Sequence, residues 1–212
     1  AVCERAVIYE KRDLGRQPFP LWIEKRSFEP SADMEVLPGE VVKVSFRASK
    51  GQEAWLDIKP GRKSIKCLRE DYNDYSLYRA EVPVRDFAAG VPHTLSVRLV
   101  PAAGGAPEGV YRPELYRTVT VRNPEDFPLV RVKNDYSRLV YNLGAPRLGG
   151  PIRSELGPGV ILKTSGKIGN NYRIRLSNTE TGFISEDDVE IQDGGKTQPL
   201  YNVTSMSCGP SA

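Results

Sequence analysis

The sequence has 212 residues, 39% of them hydrophobic, enough for one large core or two small ones. Thirty basic against 27 acidic residues leave a net charge of +3, too slight to call for a nucleic acid partner. No apolar run reaches the ~18 residues of a membrane-spanning helix, and a single histidine, His93, excludes a zinc centre built on several imidazoles.

Residues 1–16 read as an N-terminal extension. They do not read as a signal peptide, and the start at Ala1 fits a processed or trimmed mature chain. From there the pattern is strand-like. Apolar and polar residues alternate in Val42-Lys43-Val44-Ser45-Phe46-Arg47 and in Leu95-Ser96-Val97-Arg98-Leu99. They do so again in Thr118-Val119-Thr120-Val121 and Tyr172-Arg173-Ile174-Arg175-Leu176. A period of two marks antiparallel strands with one buried face. Turn signals stand between them at Pro38-Gly39, Pro60-Gly61, Gly104-Gly105, Gly149-Gly150-Pro151 and Pro158-Gly159. No segment longer than ten residues carries a clean helical period, so the predicted class is all-β.

A first module is predicted over 17–123, with strands near 20–24, 41–47, 54–58, 64–68, 75–82, 93–100 and 115–122. Seven short strands over such a length suit an immunoglobulin-like β-sandwich, although the Cys–Trp–Cys core of antibody domains is absent. Asn123-Pro124-Glu125-Asp126 reads as a linker. A second module is predicted over 127–192. Residues 193–212 follow, with one further strand at 199–204 leading toward a domain beyond Ala212.

Little in these residues carries chemistry. Cys3, Cys67 and Cys208 are far apart and form no CxxC pair, so no closed zinc site is expected. Their odd number prevents full pairing and leaves a Cys3–Cys67 or a Cys67–Cys208 bridge open. His93 follows Pro92 at a strand start and is expected at a surface or strand edge. Asp57, Glu70, Asp71, Asp74 and the Glu186-Asp187-Asp188 run fit no catalytic frame; the last reads as a solvated turn. Phosphate-binding glycine motifs are absent. Neither catalytic residues nor a cofactor nor a metal is predicted. Lys59, Arg62, Lys63 and Lys66 read as a charged hairpin, with an anionic wall polymer as the alternative partner. Ten tyrosines offer faces for sugars or peptides, but tyrosine is equally at home in ordinary strands.

Residues 128–191 resemble bacterial SH3-type (SH3b) domains. The likeness lies in the paired strands Pro128-Leu129-Val130-Arg131-Val132 and Leu139-Val140-Tyr141, then in Arg147-Leu148-Gly149-Gly150-Pro151 and Leu156-Gly157-Pro158-Gly159-Val160-Ile161-Leu162. It continues through Gly166-Lys167-Ile168-Gly169-Asn170-Asn171-Tyr172 and closes with Thr181-Gly182-Phe183-Ile184 and Val189-Glu190-Ile191. Tyr172 and Phe183 stand where many such domains carry Trp. The resemblance implies a small SH3-like β-barrel in which Gly166 and Gly169 adopt positive φ in a hairpin. Tyr172, Ile174, Leu176 and Phe183 would face its core, and Tyr136, Tyr141 and Arg173 would flank a ligand groove.

The layout as a whole is similar to the non-catalytic N-terminal region of cell-wall N-acetylmuramoyl-L-alanine amidases. That similarity implies a periplasmic or extracellular location. It also implies peptidoglycan or its peptide stems as partner, with a downstream amidase domain as a second one.

Overall fold

The computed structural model describes residues 20–61, 63–102, 109–141, 143, 152–177 and 180–192. They form an all-β structure whose only helical pieces are four single 3-10 turns. The first eight strands are β1 (Met34–Val36), β2 (Val41–Ala48), β3 (Glu53–Lys59), β4 (Lys63–Lys66), β5 (Leu68–Asp71), β6 (Ser76–Pro83), β7 (Pro92–Val100) and β8 (Tyr116–Val121). Seven more follow: β9 (Leu129–Val132), β10 (Ser137–Val140), β11 (Ile152–Leu156), β12 (Ile161–Ile168), β13 (Asn171–Arg175), β14 (Thr181–Ser185) and β15 (Val189–Ile191).

The alternation seen in the sequence decides which way each strand faces. Val42, Val44, Phe46 and Ala48 of β2 point inward, as do Ala54, Leu56 and Ile58 of β3 and Leu95, Val97 and Leu99 of β7. A small sheet, β2-β6-β5, packs its inner face on the run β1-β8-β7-β3-β4. This order is that of an immunoglobulin-like β-sandwich. At its centre the rings of Phe28, Phe46 and Tyr78 stack, with centroids 6.0 and 5.4 Å apart. The Tyr78 hydroxyl donates to the carbonyls of Ser49 and Gln52, each at 3.0 Å, so this buried ring also pins the β2–β3 turn.

Two expectations change here. The single strand predicted near 64–68 is two strands in different sheets. Lys66 ends the pairing of β4 with β3, and Leu68 opens the pairing of β5 with β6. Cys67 is buried at the corner, its amide held by the Ala54 carbonyl at 2.9 Å. The strand predicted near 20–24 is only an isolated bridge, Ile23 to Ala48.

His93 is also a correction. It is 5% exposed and lies on β7 between β3 and β8, at no edge. Its position two residues before Leu95 places it on the inward face. Its ring stacks on Phe87 with centroids 4.1 Å apart, and Nδ1 lies 2.9 Å from the Val91 carbonyl oxygen. An aromatic neighbour and one hydrogen bond make burial tolerable for an imidazole.

A second core gathers Val130, Val132, Leu139, Tyr172, Ile174, Ile184 and Val189 inside a bent sheet ordered β11-β10-β14-β13-β12-β9-β15. Leu176 is not in it: β13 ends at Arg175, and Leu176 is exposed in the following turn. Gly169 has φ +52 in the β12–β13 hairpin, but Gly166 does not take a positive φ. It lies within β12 at a register shift opposite β13. The predicted linker at 123–126 is a capped 3-10 turn in which the Asn123 amide donates to the Asp126 carboxylate at 3.1 Å.

The three residues of β1 connect the two cores. Met34, Glu35 and Val36 pair in parallel with Val119, Thr120 and Val121 of β8. On the other edge Met34 and Glu35 pair antiparallel with Ile168 and Lys167 of β12. One sheet therefore runs through both halves. The Gly169 amide donates to the Asp33 carbonyl at 2.8 Å, and Arg173 reaches Glu40 at 2.6 Å, extending the same contact.

Candidate functional site

Where the β12–β13 hairpin meets residues 31 and 32, the surface folds into an open groove of about 440 Å³. Its size falls within the range of small-molecule and peptide sites. The second module supplies much of its wall from the outward positions of β14 and β10. In β14, Gly182 and Ile184 turn inward, which leaves Phe183 and Ser185 on the opposite side. In β10, Leu139 packs into the core while exposed Arg138 faces the groove. Val140 pairs directly with Phe183, so the two form an apolar floor. Asn170 and Asn171 of the hairpin tip and Asp188 complete the polar rim.

The hairpin is firmly held. Gly169 bends with φ +52, and a Cβ there would lie 3.0 Å from the Ala32 methyl. The Glu186 amide donates to the Asn170 carbonyl at 2.8 Å. Lys167 makes a 2.9 Å ion pair with Glu186 and stands 5.0 Å over the Tyr172 ring. Burial pushes the Tyr172 phenol above its ordinary pKa; Lys167 opposes the shift and Glu186 reinforces it. Tyr172 is thus a core residue with a tethered hydroxyl, 3.4 Å from Glu186. Asp188 accepts from the Asn134 amide at 3.1 Å, which orients it at the rim.

The structure disperses the three residues singled out in the sequence. Tyr136 sits in the β9–β10 turn with φ +57, a left-handed conformation uncommon for an aromatic residue, and is 77% exposed. Hydrogen bonds from Ser137 to Asn134 and from Asn134 to Asp187 hold that turn, so the ring is presented rather than packed. Tyr141 is 49% exposed and carries the Arg153 guanidinium 4.7 Å from its ring centroid. The two tyrosines flank opposite ends of β10. Arg173 does not line the groove. Its side chain is 15% exposed, salt-bridged to Glu40 and donating also to the Ser165 carbonyl. It faces outward from β13, but the first module covers that face.

Arg138, Asn170, Asn171 and Phe183 were missed as groove residues, and Phe183 was assigned to the core. The signal was available in part. With Ile184 inward, strand alternation puts Phe183 on the other side. The contribution of residues 31 and 32 had no such signal, because it depends on how the two modules pack.

Among the described residues no group of three or more His, Cys, Asp or Glu is placed to hold a metal ion. No helix among them is long and apolar enough to cross a membrane. No family model matches the chain, and no curated protein matches it.

Proposed function

We propose that this chain is a non-catalytic binding and positioning region of a bacterial cell-wall protein, acting outside the cytoplasm. The resemblance of 128–191 to SH3b domains, and of the layout to the region preceding an N-acetylmuramoyl-L-alanine amidase domain, supplies the context. The observation that carries the reading is the groove at the junction. It sets an exposed guanidinium, Arg138, and a carboxylate, Asp188, around a floor of Phe183 and Val140. A peptide stem of peptidoglycan offers matching groups. Its carboxylates suit Arg138, its amides suit Asn170 and Asn171, and its methyl side chains suit the floor. Binding through one shallow groove is weak. Tethering converts it into a high local concentration of an attached amidase domain at its substrate.

The test is sedimentation of the 1–212 chain with insoluble peptidoglycan, beside Arg138→Glu. Wild type is expected in the pellet and the charge reversal in the supernatant, with about a tenfold loss of affinity. Equal retention of both proteins would refute the role of the groove.

The shared strand β1 and the Arg173–Glu40 bridge favour a second reading, a rigid spacer that contacts an amidase domain without binding the wall. Under that reading neither protein sediments with peptidoglycan, yet both bind the purified amidase domain.

A further inference from the structure

The solvent face of the first module carries a second concavity, remote in sequence from the junction groove. Four strands place Ser64, Asp57, Ser96 and Tyr116 in one register row: Ser64 opposite Asp57, Asp57 opposite Ser96, and Ser96 opposite Tyr116. The row spans three inter-strand spacings, about 14 Å. It lines a pocket of about 290 Å³ together with Lys59, Lys63 and Arg112.

The charge inside is not what its one carboxylate indicates. Asp57 accepts from the Ser64 hydroxyl and forms a 2.9 Å ion pair with Arg98. Arg98 is itself steadied 5.1 Å over the Trp55 ring. Asp57 is thereby ion-paired and fixed as part of the floor. Lys59 and Arg112 make the pocket cationic, and Arg112 comes from the segment before β8 rather than from the hairpin. Tyr116 forms the remaining wall and is 57% exposed.

We infer that this pocket binds an anionic sugar, a pyranose bearing a carboxylate or phosphoryl group. Its ring lies on Tyr116, its hydroxyls bond to Ser96 and the Asp57 carboxylate, and its anionic group meets Arg112 and Lys59. A phosphate alone would use the cations and leave the aromatic wall empty. A neutral sugar would leave the cations unanswered. Only the combined ligand satisfies both halves of the pocket. The site is independent of the peptide-binding groove.

The experiment is titration of the 1–212 chain, followed by amide NMR, with glucuronic acid, glucose 1-phosphate, glucose and inorganic phosphate. Saturable shifts around Ser96 and Tyr116 are expected with one or both charged sugars, and the tighter of the two assigns the anionic group. Glucose and inorganic phosphate should bind at least about tenfold more weakly. Arg112→Gln and Tyr116→Ala, both at exposed positions, should each weaken the charged sugar by about tenfold. Arg138→Glu should leave its binding unchanged, which separates this site from the junction groove. No saturable shift with either charged sugar, equal affinity for glucose, or unchanged affinity in Arg112→Gln would overturn the inference.

Discussion

Replacing Glu40 by Ala should loosen the two modules through one ion pair, and it also removes the acceptor of the Leu37 amide, 3.3 Å away. Arg173 Nη2 lies 2.6 Å from Glu40 Oε1, with side-chain exposures of 15% and 30%. Such a pair lies between an exposed bridge, worth at most about 1 kcal/mol, and a buried one, whose disruption costs roughly 3–5 kcal/mol. About 2 kcal/mol is therefore expected, or a fall of about 4–8 °C in Tm. Gly166 permits the geometry: a Cβ there would stand 2.8 Å from Arg173 Nε and 2.9 Å from Cζ. Gly166→Ala should push the guanidinium away from Glu40 and cost a similar amount by the same route. The two substitutions should then be strongly non-additive, with the double variant about 2 kcal/mol below wild type rather than about 4. Urea unfolding of the four proteins measures this. Additive losses, or a Glu40→Ala effect under about 0.5 kcal/mol, would show that the bridge does not join the modules energetically.

The Cys67 thiol is free, and burial, with Asp57 adding to it, raises its pKa to about 12 from an ordinary 9.0. Between those values the unfolded chain loses a proton that the folded one keeps, so stability falls as pH rises, by up to about 1.4 kcal/mol per pH unit. Cys67→Ala removes this term, and its stability relative to wild type should rise steadily from pH 9 to 11; a flat difference curve would contradict the burial. Tyr78→Phe removes the donor to Ser49 and Gln52 and should cost about 1–2 kcal/mol in urea unfolding, with no loss if that hydroxyl is idle. Phe183→Ala should lower peptidoglycan retention about as much as Arg138→Glu while changing stability far less than truncation of the fully buried Ile184. Equal destabilisation by the two truncations would return Phe183 to the core.

Strands β2, β3 and β7 were legible because each alternates over seven to nine residues with one face wholly buried. The rest was hidden for identifiable reasons. Three residues of β1 are too few to show a period, and their role comes from partners more than 80 and 130 positions away. The change of sheet at Cys67 looks like one continuous strand because β4 and β5 are separated by a single residue. His93 was misjudged by weighing its residue type above its phase with Leu95 and Val97. Arg173 was expected beside a ligand groove, yet the outer side of β13 is covered by another part of the chain. Phase is a local property and can be read from the sequence. What covers a face is decided by the tertiary arrangement, and both Arg173 and the junction groove depend on that.

The double pairing of β1 bears on any attempt to produce the halves separately. Its two edges are capped by β8 and by β12, so cutting the chain after residue 126 strips β12 of its neighbour along Lys167 and Ile168. Bare backbone donors and acceptors there would recruit a strand from another copy. The isolated C-terminal piece should self-associate through this newly opened rim, so the intact chain owes part of its colloidal behaviour to three residues near its start.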